Sequence, residues 1–118
     1  MKSFDHKKLD VYNAAIGYVV IVDNIVERLP RGRGYLTDQL QRAGTSIVLN
    51  IAEGAGEFSR CEKARFYRIA KRSATECAAA LDICRSLELV EQSQLEAGRS
   101  LLLRIVSMLT KMAGGKPN

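Results

Sequence analysis

Apolar side chains recur at every third or fourth residue along nearly the whole chain, and the recurrence breaks at three places. A period near 3.6 belongs to an amphipathic helix, whereas a half-buried strand would alternate at every second residue. The breaks fall between Leu29 and Gly34, between Gly54 and Ser59, and between Glu88 and Ser93. The pattern therefore predicts an all-α chain of four helices. Consecutive helices joined by such short connections lie side by side and antiparallel, so the expected architecture is an up-down-up-down four-helix bundle.

The first helix is expected from about Lys7 to Arg28, with Leu9, Tyr12, Ile16, Val19, Val22, Val26 and Leu29 on its apolar stripe. Pro30 stops it by biasing Leu29 away from helical dihedrals. The β-branched run Tyr18 to Val22 would also suit a strand. No turn signal brackets that run, however, and the helical period continues on both sides of it. A second helix begins near Tyr35, after Arg31-Gly32-Arg33-Gly34, and carries Leu36, Leu40, Ala43, Ile47, Ile51 and Gly54 until Gly54 and Gly56 end it. The third opens with the capping box Ser59-Arg60-Cys61-Glu62 and carries Phe66, Ile69, Ala70, Ser73, Cys77, Ala80, Cys84 and Leu87 to about Glu88. The fourth opens with a second box, Ser93-Gln94-Leu95-Glu96, and repeats Leu95, Leu102, Ile105, Leu109 and Met112 until Gly114-Gly115.

The 118 residues, 47% of them hydrophobic, suffice for one domain spanning residues 1–118 and exclude a disordered segment. No apolar run approaches the roughly 18 residues of a membrane span. Asp5, Asp10, Asp23 and Glu27 interrupt the stretch where a secretory signal would stay apolar, so a cytoplasmic protein is expected. Cys61, Cys77 and Cys84 lack C-x-x-C spacing and His6 is the single histidine, a set that points to no metal or cofactor. Two segments, Val19 to Val22 and Leu101 to Leu103, carry aliphatic side chains around the whole helix, more than one bundle face buries. Helices one and four are therefore expected to form a subunit interface as well.

The net charge is +5, and the expected topology distributes it unevenly. Both chain termini and the connection between helices two and three share one end of the bundle. That end gathers Lys2, Lys7, Lys8, Arg60, Lys63, Arg65, Arg68, Lys71, Arg72, Lys111 and Lys116 against Asp5, Asp10, Glu53, Glu57 and Glu62, a balance of +6. The opposite end comes to −2 and the middle to +1. Arg60, Lys63, Arg65, Arg68, Lys71 and Arg72 spread over about half the circumference of helix three, opposite its apolar stripe. Few acids stand at i±4 to pair with them, which favours phosphate as their partner. Tyr67 is the one aromatic expected to point outward beside them, so contacts to the nucleic-acid backbone are expected rather than readout of bases.

Helix two carries a second line, Arg42, Ser46, Asn50 and Glu53, and helix three supplies Ser73 and Glu76 at the same level. Ser46 has no histidine nearby in sequence, and Glu53 and Glu76 lack the E-x-x-H partner of a bundle metal site. These residues are read as a structural polar network, with a charge-assisted Arg42 to Glu76 bond fixing helix register, and the chain as non-enzymatic.

The string Gln39-Leu40-Gln41-Arg42-Ala43-Gly44-Thr45-Ser46-Ile47-Val48-Leu49-Asn50-Ile51-Ala52-Glu53-Gly54, followed by Ser59, Glu62, Phe66, Ile69-Ala70, Ser73 and Glu76, resembles the four-helix bundle proteins encoded in intervening sequences of 23S ribosomal RNA genes. Arg72 stands where that family usually has glycine, and Val48 where proline is common. The resemblance implies a ring of subunits, a pentamer, with no enzymatic activity. Its fold relatives include the accessory protein of diversity-generating retroelements, which looks like a basic pentameric barrel that binds nucleic acid and a reverse transcriptase. The chain is accordingly expected to be a homo-oligomeric bundle that binds RNA or an RNA/DNA hybrid through helix three. The alternative is an adaptor whose cationic end docks a protein such as a reverse transcriptase.

Overall fold

The computed structural model describes residues 4–114. Lys2, Gly115 and Lys116 lie outside them, as does the side chain of Lys8. After a 3-10 turn at Asp5–Lys8 come four helices: α1 (Asp10–Glu27), α2 (Gly34–Gly56), α3 (Arg60–Ser86) and α4 (Gln92–Met112). No strand occurs among the described residues, and Tyr18 to Val22 is helical. Each helix packs on two neighbours in the closed order α1, α2, α3, α4, and the backbones of the two diagonal pairs stay apart. The chain is thus a four-helix bundle.

The α2 stripe is as expected: Leu36, Leu40, Ala43, Ile47, Ile51 and Gly54 are all buried. The α1 stripe is rotated from its expected position. Val11, Ala14, Ala15, Tyr18, Val22 and Ile25 face the core, while Tyr12, Val19 and Val26 are half-buried and Ile16 is exposed. The cause is Tyr18, whose ring enters the bundle centre and carries its own face of α1 inward. A methyl group placed at Gly44 of α2 would lie 3.6 Å from that ring, and one at Gly98 of α4 would lie 3.7 Å from it. The Tyr18 hydroxyl faces the thiols of Cys77 and Cys84 on α3. It is buried with no hydrogen-bond partner among the described residues.

Three helix boundaries also differ from expectation. α1 starts at Asp10 and not near Lys7, because the extended Leu9 parts it from the 3-10 turn. α4 starts at Gln92 behind Glu91, with no side-chain cap, so Ser93 lies inside the helix and its box does not form. α3 ends at Ser86 in a Schellman turn, with Leu89 N–H donating to Cys84 O (2.9 Å) and Glu88 N–H to Arg85 O (3.1 Å). The left-handed position that glycine usually fills there belongs to Glu88, with φ 56°.

At the junction of α2 and α3, the Tyr67 ring packs close against Gly54. A Cβ at Gly54 would fall 2.6 and 2.9 Å from two Tyr67 ring carbons and 3.2 Å from the Phe66 Cβ. A Cβ at Gly56, two residues on, would meet nothing within 4 Å. Gly54→Ala is therefore expected to cost about 1–3 kcal/mol through overpacking, whereas Gly56→Ala should stay within about 0.5 kcal/mol of the parent. Urea unfolding of the two variants checks this, and equal midpoints would contradict the close packing.

Candidate functional site

The first half of α3 carries the cationic cluster, and its geometry follows from how the helix begins. The Ser59 hydroxyl accepts the Glu62 N–H at 3.0 Å and so caps α3. The reciprocal half of the box is absent, because the Glu62 carboxylate accepts from Arg65 Nε at 2.9 Å. The Arg65 guanidinium also lies over the Phe66 ring, 4.6 Å from its centroid. Arg65 is thus already paired, though more than half exposed.

Lys63 leaves the expected face. Its ammonium donates to Ala55 O at 3.0 Å and Gly54 O at 3.4 Å, closing the C-terminus of α2. The last carbonyls of a helix lack intrahelical donors and sit at the negative end of its dipole, so a lysine within reach is drawn there. Arg60, Arg68 and Arg72 remain exposed and Lys71 is half-buried. Among the described residues none of these four forms an ion pair. Arg68 and Arg72 stand one helical turn apart on the outward face of α3.

Tyr67, expected to point outward beside the cluster, is instead 5% exposed. The room above Gly54 admits its ring, and burial pushes its hydroxyl above the usual tyrosine range. The exposed aromatics at this end are Phe4 and Phe58, and the helical period alone does not single out Phe58. A hydrophobic residue directly before an N-cap commonly packs against the fourth residue of the helix. Here the fourth residue is Lys63, turned toward α2, and Phe58 is left fully exposed. That mismatch was the available sequence signal.

The polar line divides into two clusters. In one, the Ser46 and Ser73 hydroxyls share a hydrogen bond of 2.8 Å, and Asn50 Nδ2 donates to Ser46 O (2.9 Å) and Ser46 Oγ (3.1 Å). In the other, Gln39 Nε2 donates to Glu76 Oε2 at 3.1 Å and Arg42 donates to Gln39 Oε1 at 3.5 Å. The expected Arg42 to Glu76 bond is not made, because Gln39, three residues before Arg42, reaches the carboxylate first. Glu53 joins neither cluster. It is exposed and lines a shallow cleft with Phe4, Asp5, His6, Gly56 and Glu57. The structure thus brings Ser46, Asn50 and Ser73 together, links Arg42 to Glu76 only through Gln39, and leaves Glu53 apart.

The thiols are divided by the core. Cys61 is exposed, and Cys77 and Cys84 are buried. Burial pushes the Cys77 thiol up to about 11, against a smaller opposing effect of the Tyr18 hydroxyl, and raises Cys84 too. Both stay protonated at neutral pH and serve as small core side chains.

Comparison with known proteins places this arrangement. The fold is similar to that of a Bacteroides thetaiotaomicron VPI-5482 protein of unknown function from the S23 ribosomal protein family, with a TM-score of 0.80. The two share 24% sequence identity, over 87% of this chain and 97% of that one, a likeness of fold alone. No curated protein matches the chain. The profile of the 23S rRNA-intervening sequence proteins matches residues 7–111, a span that holds α1, α2, α3 and all but the last residue of α4, with the Gly54 and Tyr67 junction and the serine pair. The chain belongs to the 23S rRNA-intervening sequence protein family.

Proposed function

We propose that this protein is a non-enzymatic, oligomeric bundle that binds nucleic-acid backbone, RNA or an RNA/DNA hybrid, through the outer face of α3. The observation that carries the reading is the pair Arg68 and Arg72. Both are exposed, they stand one turn apart, and among the described residues no carboxylate pairs with them. An exposed guanidinium left without an acid partner is suited to phosphate, which it meets with a bidentate, charge-assisted geometry. Arg60 and Lys71 flank the pair, and Arg65 lies close enough to exchange Glu62 for a phosphate. Lys63, held by the α2 carbonyls, takes no part.

The up-down-up-down course belongs to this reading. Its support is a set of contacts that run in opposite senses along α2 and α3: Gln39 with Glu76, Ser46 with Ser73, and Ala55 with Lys63. Assembly into a ring, a pentamer, draws support from the aliphatic surface that the bundle leaves in water. Val20 of α1 is 57% exposed and Leu103 of α4 is 64% exposed. Each subunit of a ring repeats the cationic face, so weak phosphate contacts add by avidity.

Replacing Arg65, Arg68 and Arg72 with Ala should weaken binding to an RNA duplex and flatten its salt dependence, each lost phosphate contact removing about 0.9 from the log–log slope. The helical circular dichroism should be unchanged, since all three side chains lie outside the core. Unchanged affinity and slope would reject the site. Light scattering should give a mass several times 13.0 kDa, and a monomer at micromolar concentration would reject the ring.

A further inference from the structure

The connection between α2 and α3 is fixed at both ends, yet it holds a phenylalanine that packs on nothing. On the α2 side, Glu57 N–H donates to Gly54 O at 3.2 Å and the Lys63 ammonium grips the last carbonyls. On the α3 side, Ser59 caps the helix. Phe58, between them, is 102% exposed. A phenylalanine ring in water forgoes the burial that would ordinarily stabilise the fold. A short, doubly anchored connection also gives the ring little freedom to fold back, so it is presented to solvent at a defined place.

That place adjoins the cationic face. Arg60, exposed, is two residues away, and Arg68 and Arg72 continue along the outward side of the same helix. We infer that Phe58 is the stacking platform for one unpaired base of a single-stranded nucleic acid, whose backbone then runs onto Arg60, Arg68 and Arg72. This rests on the backbone-binding reading of α3 and adds the class of strand that the site selects.

Two arguments favour a single strand. Every base has a π-face that stacks on an aromatic ring without regard to sequence, and exposed rings beside a cationic track are the usual platform for it. A duplex keeps its base faces inside its own stack, so the ring can add nothing to duplex binding. The local charge also sets the direction of the strand. Asp5, Glu53 and Glu57 lie together in the cleft on the α2 side of the connection. Their repulsion of phosphate confines the backbone to the α3 side. Phe4, although 76% exposed, lies on the acidic side and is excluded as a platform by the same charges.

The chain has no tryptophan, so Phe58→Trp introduces a single indole at the platform. The full-length variant is titrated with a short mixed-sequence RNA strand, with the DNA strand of the same sequence, and with the RNA duplex. Quenching of the indole emission by either single strand is expected. Phe58→Ala should weaken single-strand affinity about tenfold, while leaving duplex affinity, helical content and oligomeric mass as in the parent. Unquenched emission together with parental single-strand affinity of Phe58→Ala would overturn the platform. So would a lower mass for Phe58→Ala, which would make Phe58 an anchor between copies of the chain. In either case, loss of duplex binding on Arg68→Ala/Arg72→Ala would still support the basic face. A parent protein that binds no strand and no duplex overturns both readings.

Discussion

The bundle is organised around one side chain. The ring of Tyr18 leaves α1 and reaches Gly44 on α2, Gly98 on α4 and the thiols of Cys77 and Cys84 on α3, so a single residue touches all three other helices. Each partner is small, and a larger side chain at any of them would push a helix away from the ring. Burial of the ring contributes roughly 1.5–3 kcal/mol, and the hydroxyl, without a partner among the described residues, offsets part of that. Burial and the neighbouring thiols hold the hydroxyl well above the usual tyrosine range, so it stays neutral. The core thereby fixes which face of α1 points inward and leaves Ile16 and Val20 in water.

A second constraint sits where α2 meets α3. Gly54 lets the Tyr67 ring pack close against α2, and Lys63 closes the carbonyls beside it. With Tyr67 turned inward, the opposite side of α3 must face outward, and that side bears Arg68 and Arg72. The same junction explains the exposure of Phe58, since the residue that would have covered it is the lysine engaged with α2. Packing at the junction and the chemistry of the surface therefore have one origin. Further along, the Ser46 and Ser73 hydroxyls satisfy each other across α2 and α3.

The sequence made the four helices legible because glycine, proline and a working serine cap punctuate a strong period. The α2 stripe was readable residue by residue, since polar residues separate Leu36, Leu40 and Ala43 and set its phase ahead of the apolar run Ile47-Val48-Leu49. The α1 stripe was not, because Tyr18 to Val22 is apolar on every side and the period has no contrast there. What decided its orientation was a tertiary fit between a large ring and distant glycines, which no local pattern reports. Ser93 failed as a cap for a related reason: α4 begins one residue before it. In the candidate site, the cationic face was legible from residue types and spacing. The departures of Lys63 and Tyr67 were not, because each depends on what α2 offers across the junction.

The central claim is that the outward face of α3 is where this protein meets nucleic-acid backbone. Its most direct test is a titration of the isotope-labelled protein with a short RNA strand, followed by the shifts of assigned backbone amides in transverse-relaxation-optimised spectra. The account predicts shifts that cluster from Phe58 to Arg72 and spare the outer surfaces of α1 and α4. Shifts centred on Val20 and Leu103, or none at saturating RNA, would contradict it.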